Sequence, residues 1–237
     1  MRFFLDTCDI NEIKLFAALG LIDGVTSNWA LANKVGTTVG LFLRKLIDLQ
    51  LDQPLEVSFQ PRLPHYKYAE GTLTLYNLYR GRNENIQLVP KVPVFGEYIK
   101  AGFVIAEEAP INATMIVEPW QMDMATKLRA KYASVFVSRV LKQPPESYED
   151  PLDSWSRVED LYYMKQNVEL VFASIKTVQQ VNHIVTDFGG SDNVITIPPE
   201  VFREMLDSLS VQQIFSDWEK PEKGSFWKEF RRYLGEL

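Results

Sequence analysis

Apolar positions along the chain follow two alternating periods. Short apolar, β-branched or aromatic runs recur at Phe3–Asp6, Gly24–Ser27, Leu55–Gln60, Ile86–Val94, Ile111–Val117, Ala133–Arg139, Leu170–Ile175 and Val194–Ile197. Each has the length and side-chain type of a buried strand. Segments at helical spacing lie between them. Ile10, Ile13, Phe16 and Ala17 share one face, with Gly20 as a stop, and Val39, Phe42, Leu43, Leu46 and Leu49 share another. Leu75, Tyr76 and Tyr79 form a looser set, and Ile99, Phe103 and Ala106 fit a helix, as do Val181, Ile184, Val185 and Phe188. The period therefore switches from two to 3.6 and back.

Eight strands that alternate with helices predict a parallel sheet, because parallel neighbours need a crossover between them. The count and length fit a (β/α)₈ barrel at the small end of its range, as one domain over residues 1–237. A doubly wound open sheet is the alternative, but no Gly-x-Gly-x-x-Gly turn follows the first strand and no Walker-type loop is present. Two stretches break the alternation. Lys142–Asp153 is acidic with three prolines and reads as a loop after the sixth strand, on the face where barrels carry their chemistry. Past Pro221–Gly224, the residues Phe226, Trp227, Phe230, Tyr233 and Leu234 repeat at helical spacing. A tail helix over 224–237 must bury that face, either on its own barrel or on a neighbouring subunit of a homo-oligomer.

Composition narrows the function classes. The 237 residues hold 25 Lys+Arg against 31 Asp+Glu, which is the wrong sign for a nucleic-acid footprint. No apolar run approaches a membrane span, and Asp6 interrupts the N-terminus too early for a signal-peptide core, so a cytoplasmic protein is expected. A single cysteine, Cys8, excludes an intrachain disulfide, and His65 and His183 stand far apart, which disfavours a zinc site.

Lys91 lies in the apolar run Val89–Val94. A lysine inside a barrel is desolvated and offers a neutral amine for Schiff-base chemistry, whereas a lysine at a strand end simply reaches for solvent. Pro90 is awkward there, since it cannot donate to a sheet ladder. Asp6 ends the first strand, where a carboxylate suits general acid/base work. Asp9 followed by Glu12 reads as the capping pair of the first helix and leaves Asp6 free for another role. Asn28, Gln60, Asn112 and Thr114 are neutral hydrogen-bonding residues near strand ends. Arg139, Ser174 and Lys176 sit at the ends of the sixth and seventh strands, where barrels often hold phosphate.

Taken in order, the segments Phe4–Thr7, Asp23–Asn28, Val89–Pro93, Asn112–Ile116, Ser134–Arg139, Ala173–Lys176 and Ile197–Pro199 resemble the small transaldolases and the related fructose-6-phosphate aldolases. The resemblance implies a class I mechanism in which Lys91 forms an imine with a ketose and Asp6 takes the C4 hydroxyl proton. It implies that Asn28, Asn112 and Ser134 bind the dihydroxyacetone unit and that Arg139, Ser174 and Lys176 bind the phosphate. It also implies a proton-shuttling water held by Thr114 and Gln60, with Phe136 beside it. The expected substrates are fructose 6-phosphate and an aldose phosphate acceptor, in a homo-oligomer with no metal or organic cofactor, no nucleic acid and no membrane. Gln60 is the aldolase-like choice, whereas Asn112, Ser134 and Phe136 are transaldolase-like. Trp29 stands beside the donor pocket. Transaldolase transfer is the leading expectation. Aldolase cleavage to dihydroxyacetone and an aldose phosphate, and a sugar-phosphate-binding barrel of low activity, are the alternatives.

Overall fold

The computed structural model describes residues 1–142, 155–190 and 192–207. The aromatic tail, and the Pro-rich loop apart from Lys142, lie outside them. The elements run β1 (Arg2–Asp6), α1 (Ile10–Ala18), β2 (Gly24–Thr26), α2 (Trp29–Lys34), α3 (Val39–Ile47), β3 (Leu55–Phe59), α4 (His65–Tyr79), β4 (Ile86–Pro93) and α5 (Tyr98–Ala106). They continue with β5 (Asn112–Ile116), α6 (Pro119–Lys127), β6 (Tyr132–Phe136), α7 (Val137–Val140), α8 (Ser156–Tyr163), β7 (Glu169–Ala173), α9 (Val178–Asp187), β8 (Val194–Ile197) and α10 (Pro199–Leu206). The strands are parallel and close in sequence order, with β8 paired to β1. The fold is the expected (β/α)₈ barrel.

Local chemistry starts the helices. The Asn28 side chain caps α2, Thr38 caps α3 and Thr177 caps α9, each accepting from a first-turn amide. Asp9 caps α1 through the Asn11 amide, but Glu12 does not complete a capping box. The Asp9 amide bonds to Thr7 Oγ1 instead, and Glu12 pairs with Arg203 of α10 at 2.6 Å, joining the first helix to the last described one.

The sixth strand ends earlier than the sequence pattern suggests. Its ladder to β7 stops at Phe136 opposite Ala173, and beyond that β7 leaves the extended conformation at Ser174, where φ is +61°. With no partner strand, residues 137–140 satisfy their backbone by turning helical, and Leu141 N donates to Val137 O at 2.9 Å. Arg139 therefore sits on α7, past the strand end. The buried face of α5 also differs from the expected one. Ala101, Gly102 and Ile105 face the barrel, while Phe103 is exposed. A Cβ on Gly102 would stand 3.0 Å from Val92 and 3.1 Å from Leu128, so small residues mark the closest approach.

The prolines of β4 cost the sheet nothing. Val94 N donates to Thr114 O on the β5 side, and with strand alternation Pro90 faces that same side. Strand β5 begins only at Asn112, opposite Lys91, so Pro90 precedes it. Pro93 faces β3, which has already ended at Phe59 opposite Pro90. The Lys91 carbonyl, left over on the β3 side, accepts from Tyr68 Oη at 2.7 Å.

Side chains inside the barrel form layers. At the N-terminal end Glu56 accepts from Arg2 at 2.9 Å, Lys131 at 2.6 Å and Tyr132 Oη at 2.7 Å, and Arg2 also pairs with Glu169. Above this cluster Phe4, Val89, Tyr132, Val171 and Val194 form a separate apolar layer. The remaining core lies outside the sheet, between strands and helices. Burial pushes the Glu56 carboxyl up, but the Lys131 and Tyr132 hydrogen bonds and the charges of Lys131 and Arg2 together hold it below the usual range. A carboxyl lowered in the folded state stabilises the fold above its unfolded pKa, and that contribution is lost as pH falls through the folded value. Glu56→Gln should cost about 1–2 kcal/mol at neutral pH. The deficit relative to the parent should shrink as the pH drops below about 4. Urea unfolding of both proteins across this range checks it, and a pH-independent deficit would contradict the assignment.

Candidate active site

The next layer toward the C-terminal mouth is polar. Strand alternation places Asp6, Thr26, Ser58, Lys91, Asn112, Ser134 and Thr196 two residues beyond the layers below. Lys91 is 4% exposed, and among the described residues its amine has neither a hydrogen-bond nor an ion-pair partner. Desolvation lowers its pKa, and the charge of Asp6 opposes that only in part. Burial raises Asp6 above the usual carboxylate range against the pull of Lys91, a Thr26 hydrogen bond and Lys176. Both members of the pair are thus pushed toward their neutral forms.

Two chains of hydroxyls and amides frame this pair. Thr26 Oγ1 donates to Asp6 Oδ1 at 2.7 Å and lies 2.6 Å from Thr196 Oγ1. Because Thr26 has one proton to give, Thr196 must donate to Thr26, and the chain runs Thr196 to Thr26 to Asp6. On the other side Ser134 Oγ donates to Asn112 Oδ1 at 2.7 Å, and Asn112 Nδ2 donates to Ser58 Oγ at 3.1 Å. That chain spans β3 to β6 and passes in front of Lys91 on β4.

The Thr114 hydroxyl is buried without a hydrogen-bond partner. It sits one residue before Met115, whose φ of +67° marks the irregularity in the β5–β6 ladder. Gln121 of α6 holds this distortion. Its Nε2 donates to Val94 O at 2.7 Å and Met115 O at 3.1 Å, and its Oε1 accepts from Val117 N and Glu118 N. Gln60 is half-buried and its amide has no partner among the described residues. Half-buried Phe136 ends β6 beside α7.

The remaining sequence-derived residues stand at the rim. Asn28 Oδ1 accepts from Ala30 N and Leu31 N at 2.9 and 3.0 Å, which leaves its amide NH₂ for other use. Trp29 is exposed, and the Arg62 guanidinium lies 4.8 Å from its ring centre, so it belongs to the mouth rather than the interior. Arg139 and Lys176 are exposed, and their side chains have no partner among the described residues. Lys176 and Asp6 line a cavity of about 290 Å³ whose other walls include Lys34, Pro198 and Arg203. Arg139 is not one of its lining residues.

The model of the family described as transaldolase/fructose-6-phosphate aldolase matches residues 3–233. The chain belongs to that family. Its relatives include a probable transaldolase of Aquifex aeolicus, 29% identical over 236 residues that cover 94% of this chain and 99% of that one. A probable transaldolase of Anaeromyxobacter dehalogenans is also 29% identical, over 95% of this chain and all of its own length (100%). The crystal structure of the YdjI aldolase from Escherichia coli K12 superposes with a TM-score of 0.54 at 12% identity, over 98% of this chain and 85% of that one, which is a likeness of fold.

Against the family's expected set, the sequence reading missed Thr26, Thr196, Ser58 and Gln121. The first three share strand faces with residues it named, and two-residue alternation could have found them. Thr26→Val keeps the shape but removes the donor to Asp6. Since that bond favours the carboxylate, its loss should raise the Asp6 pKa further. A carbon-detected NMR titration of labelled Asp reads this, and an unmoved Asp6 would exclude the bond.

Proposed function

We propose that the chain is a class I enzyme that transfers a dihydroxyacetone unit between sugar phosphates through an imine on Lys91. The observation that carries this reading is an unpartnered, desolvated lysine amine on an apolar floor, with a pKa-raised carboxyl in the same layer. The neutral amine adds to C2 of the ketose, and loss of water gives the protonated imine. Asp6 then removes the C4 hydroxyl proton. The C3–C4 bond breaks, its electron pair flows to the imine nitrogen, and an aldose phosphate departs while the enamine remains on Lys91. Addition of an acceptor aldehyde runs these steps in reverse, and hydrolysis frees the new ketose and Lys91. Ser134, Asn112 and the Asn28 amide orient the bound hydroxyls. Arg139, Ser174 and Lys176 hold the phosphate, and Thr114 and Gln60, next to Phe136, hold the water for imine formation and hydrolysis. The buried hydroxyl of Thr114 and the unpartnered Gln60 amide are groups such a water would satisfy.

A second reading, aldolase cleavage that releases free dihydroxyacetone, draws on Gln60. An amide does not titrate, so it orients water without moving the proton. The two readings separate by acceptor dependence, since the transferase needs an aldose phosphate to turn over.

Borohydride reduction with fructose 6-phosphate should add a dihydroxyacetone-derived mass to the Lys91 peptide. A label on another lysine, or none at saturating ketose, defeats the mechanism. Asp6→Asn should lower turnover by about a hundredfold to ten-thousandfold. Gln60→Glu should speed transaldolase turnover by adding a titrating group at the water. A correctly folded but slower Gln60→Glu protein would instead favour the aldolase reading.

A further inference from the structure

Arg139 and Lys176 stand on different segments, and among the described residues neither has a carboxylate to fix it. Arg139 rides on α7, a turn of four residues, and Lys176 follows the left-handed Ser174. Two exposed, long cations on short loops would present a phosphate with no defined spacing unless something ties the loops together. One side chain does so. Gln180, in the first turn of α9, accepts from the Lys176 backbone amide at 2.8 Å and donates through Nε2 to Ser138 Oγ at 3.1 Å. Ser138 immediately precedes Arg139 and is itself buried. The Gln180 backbone amide bonds to Thr177 Oγ1, the α9 cap, so the side chain is presented from a fixed helix end.

We propose that Gln180 is the positioning residue of the phosphate site and thereby sets the enzyme's preference for phosphorylated over unphosphorylated sugars. The inference rests on the reading of Arg139, Ser174 and Lys176 as phosphate ligands. The tether needs an acceptor for one loop and a group that bonds a hydroxyl for the other, and a primary amide supplies both. Gln180 also takes the Lys176 amide hydrogen for itself, so recognition at this position falls to the ammonium group. The Lys176 side chain lines the cavity beside Asp6, so its backbone anchor decides how far that ammonium stands from Arg139. A misplacement of about 1 Å in such a clamp is enough to lose most of its binding advantage.

The test is imine trapping by borohydride at graded ligand concentrations, with fructose 6-phosphate and with dihydroxyacetone, on the full chain. Gln180→Leu should raise the half-saturating fructose 6-phosphate concentration about tenfold, the equivalent of one or two lost hydrogen bonds, and leave that for dihydroxyacetone within about twofold. Ser138→Ala cuts the same tether from its other end and should show the same split, which keeps the test open if Gln180→Leu folds poorly. Equal shifts for both ligands, or no shift in either variant, would overturn the proposal. Arg139→Ala serves as the reference. If it discriminates against the phosphorylated ketose and the tether variants do not, Gln180 is only structural and the phosphate assignment stands. If Arg139→Ala also fails to discriminate, the phosphate assignment is wrong and the role of Gln180 falls with it.

Discussion

Desolvation of one amine organises the upper half of this barrel. A lysine keeps a useful fraction of neutral amine near neutral pH only if water is kept from its charged form. Here the exclusion comes from below and from the sides. Phe4, Val89, Tyr132, Val171 and Val194 close the floor under Lys91, and strand closure leaves no edge through which solvent could reach it. The nearby carboxyl of Asp6 acts the other way. Its charge favours the ammonium, and its own burial weakens that charge. In the proposed mechanism, the balance between the apolar floor and the Asp6 carboxyl decides whether Lys91 as nucleophile and Asp6 as base are both available at once.

The polar layer above that floor is satisfied almost entirely within itself. One bond in each chain skips a strand, Thr26 of β2 to Thr196 of β8 and Asn112 of β5 to Ser58 of β3, so the layer braces the barrel as well as furnishing it. The exceptions are informative. Among the described residues the Lys91 amine in this layer, and the Thr114 hydroxyl and Gln60 amide two residues further along their strands, lack partners, and all three come from consecutive barrel strands or the residues that end them. Polar groups left open beside a layer otherwise so fully bonded are where the proposed substrate and water would complete the network.

Much of this was legible in the sequence because a barrel strand writes its inward face every second residue. The eight apolar runs correspond to the eight strands, and Asp6, Lys91, Asn112 and Ser134 fall in one layer by alternation alone. The failures have physical causes. The Ala133–Arg139 run looks like one strand because Val137 and Val140 are β-branched, yet no partner strand extends that far. Helix α6 buries Gln121, Met122 and Ala125, too few large apolar positions to write a stripe. On α5 the deepest contact belongs to Gly102, which hydropathy cannot see. Thr26, Thr196 and Ser58 read simply as strand-compatible residues. Gln121 and Gln180 act across segments distant in sequence, and one sequence does not display such pairings.

The charged cluster at the N-terminal end has a consequence of its own. Glu56, Arg2 and Lys131 lie on the far side of the apolar layer from Asp6 and Lys91, and Tyr132 joins the two levels, its ring in that layer and its hydroxyl on Glu56. Free energies of sites that share no partners combine nearly additively. The acid tolerance of the fold can therefore be retuned through Glu56, Arg2 or Lys131 without disturbing the proposed proton transfer at the opposite end of the barrel, whereas a change at Tyr132 reaches both.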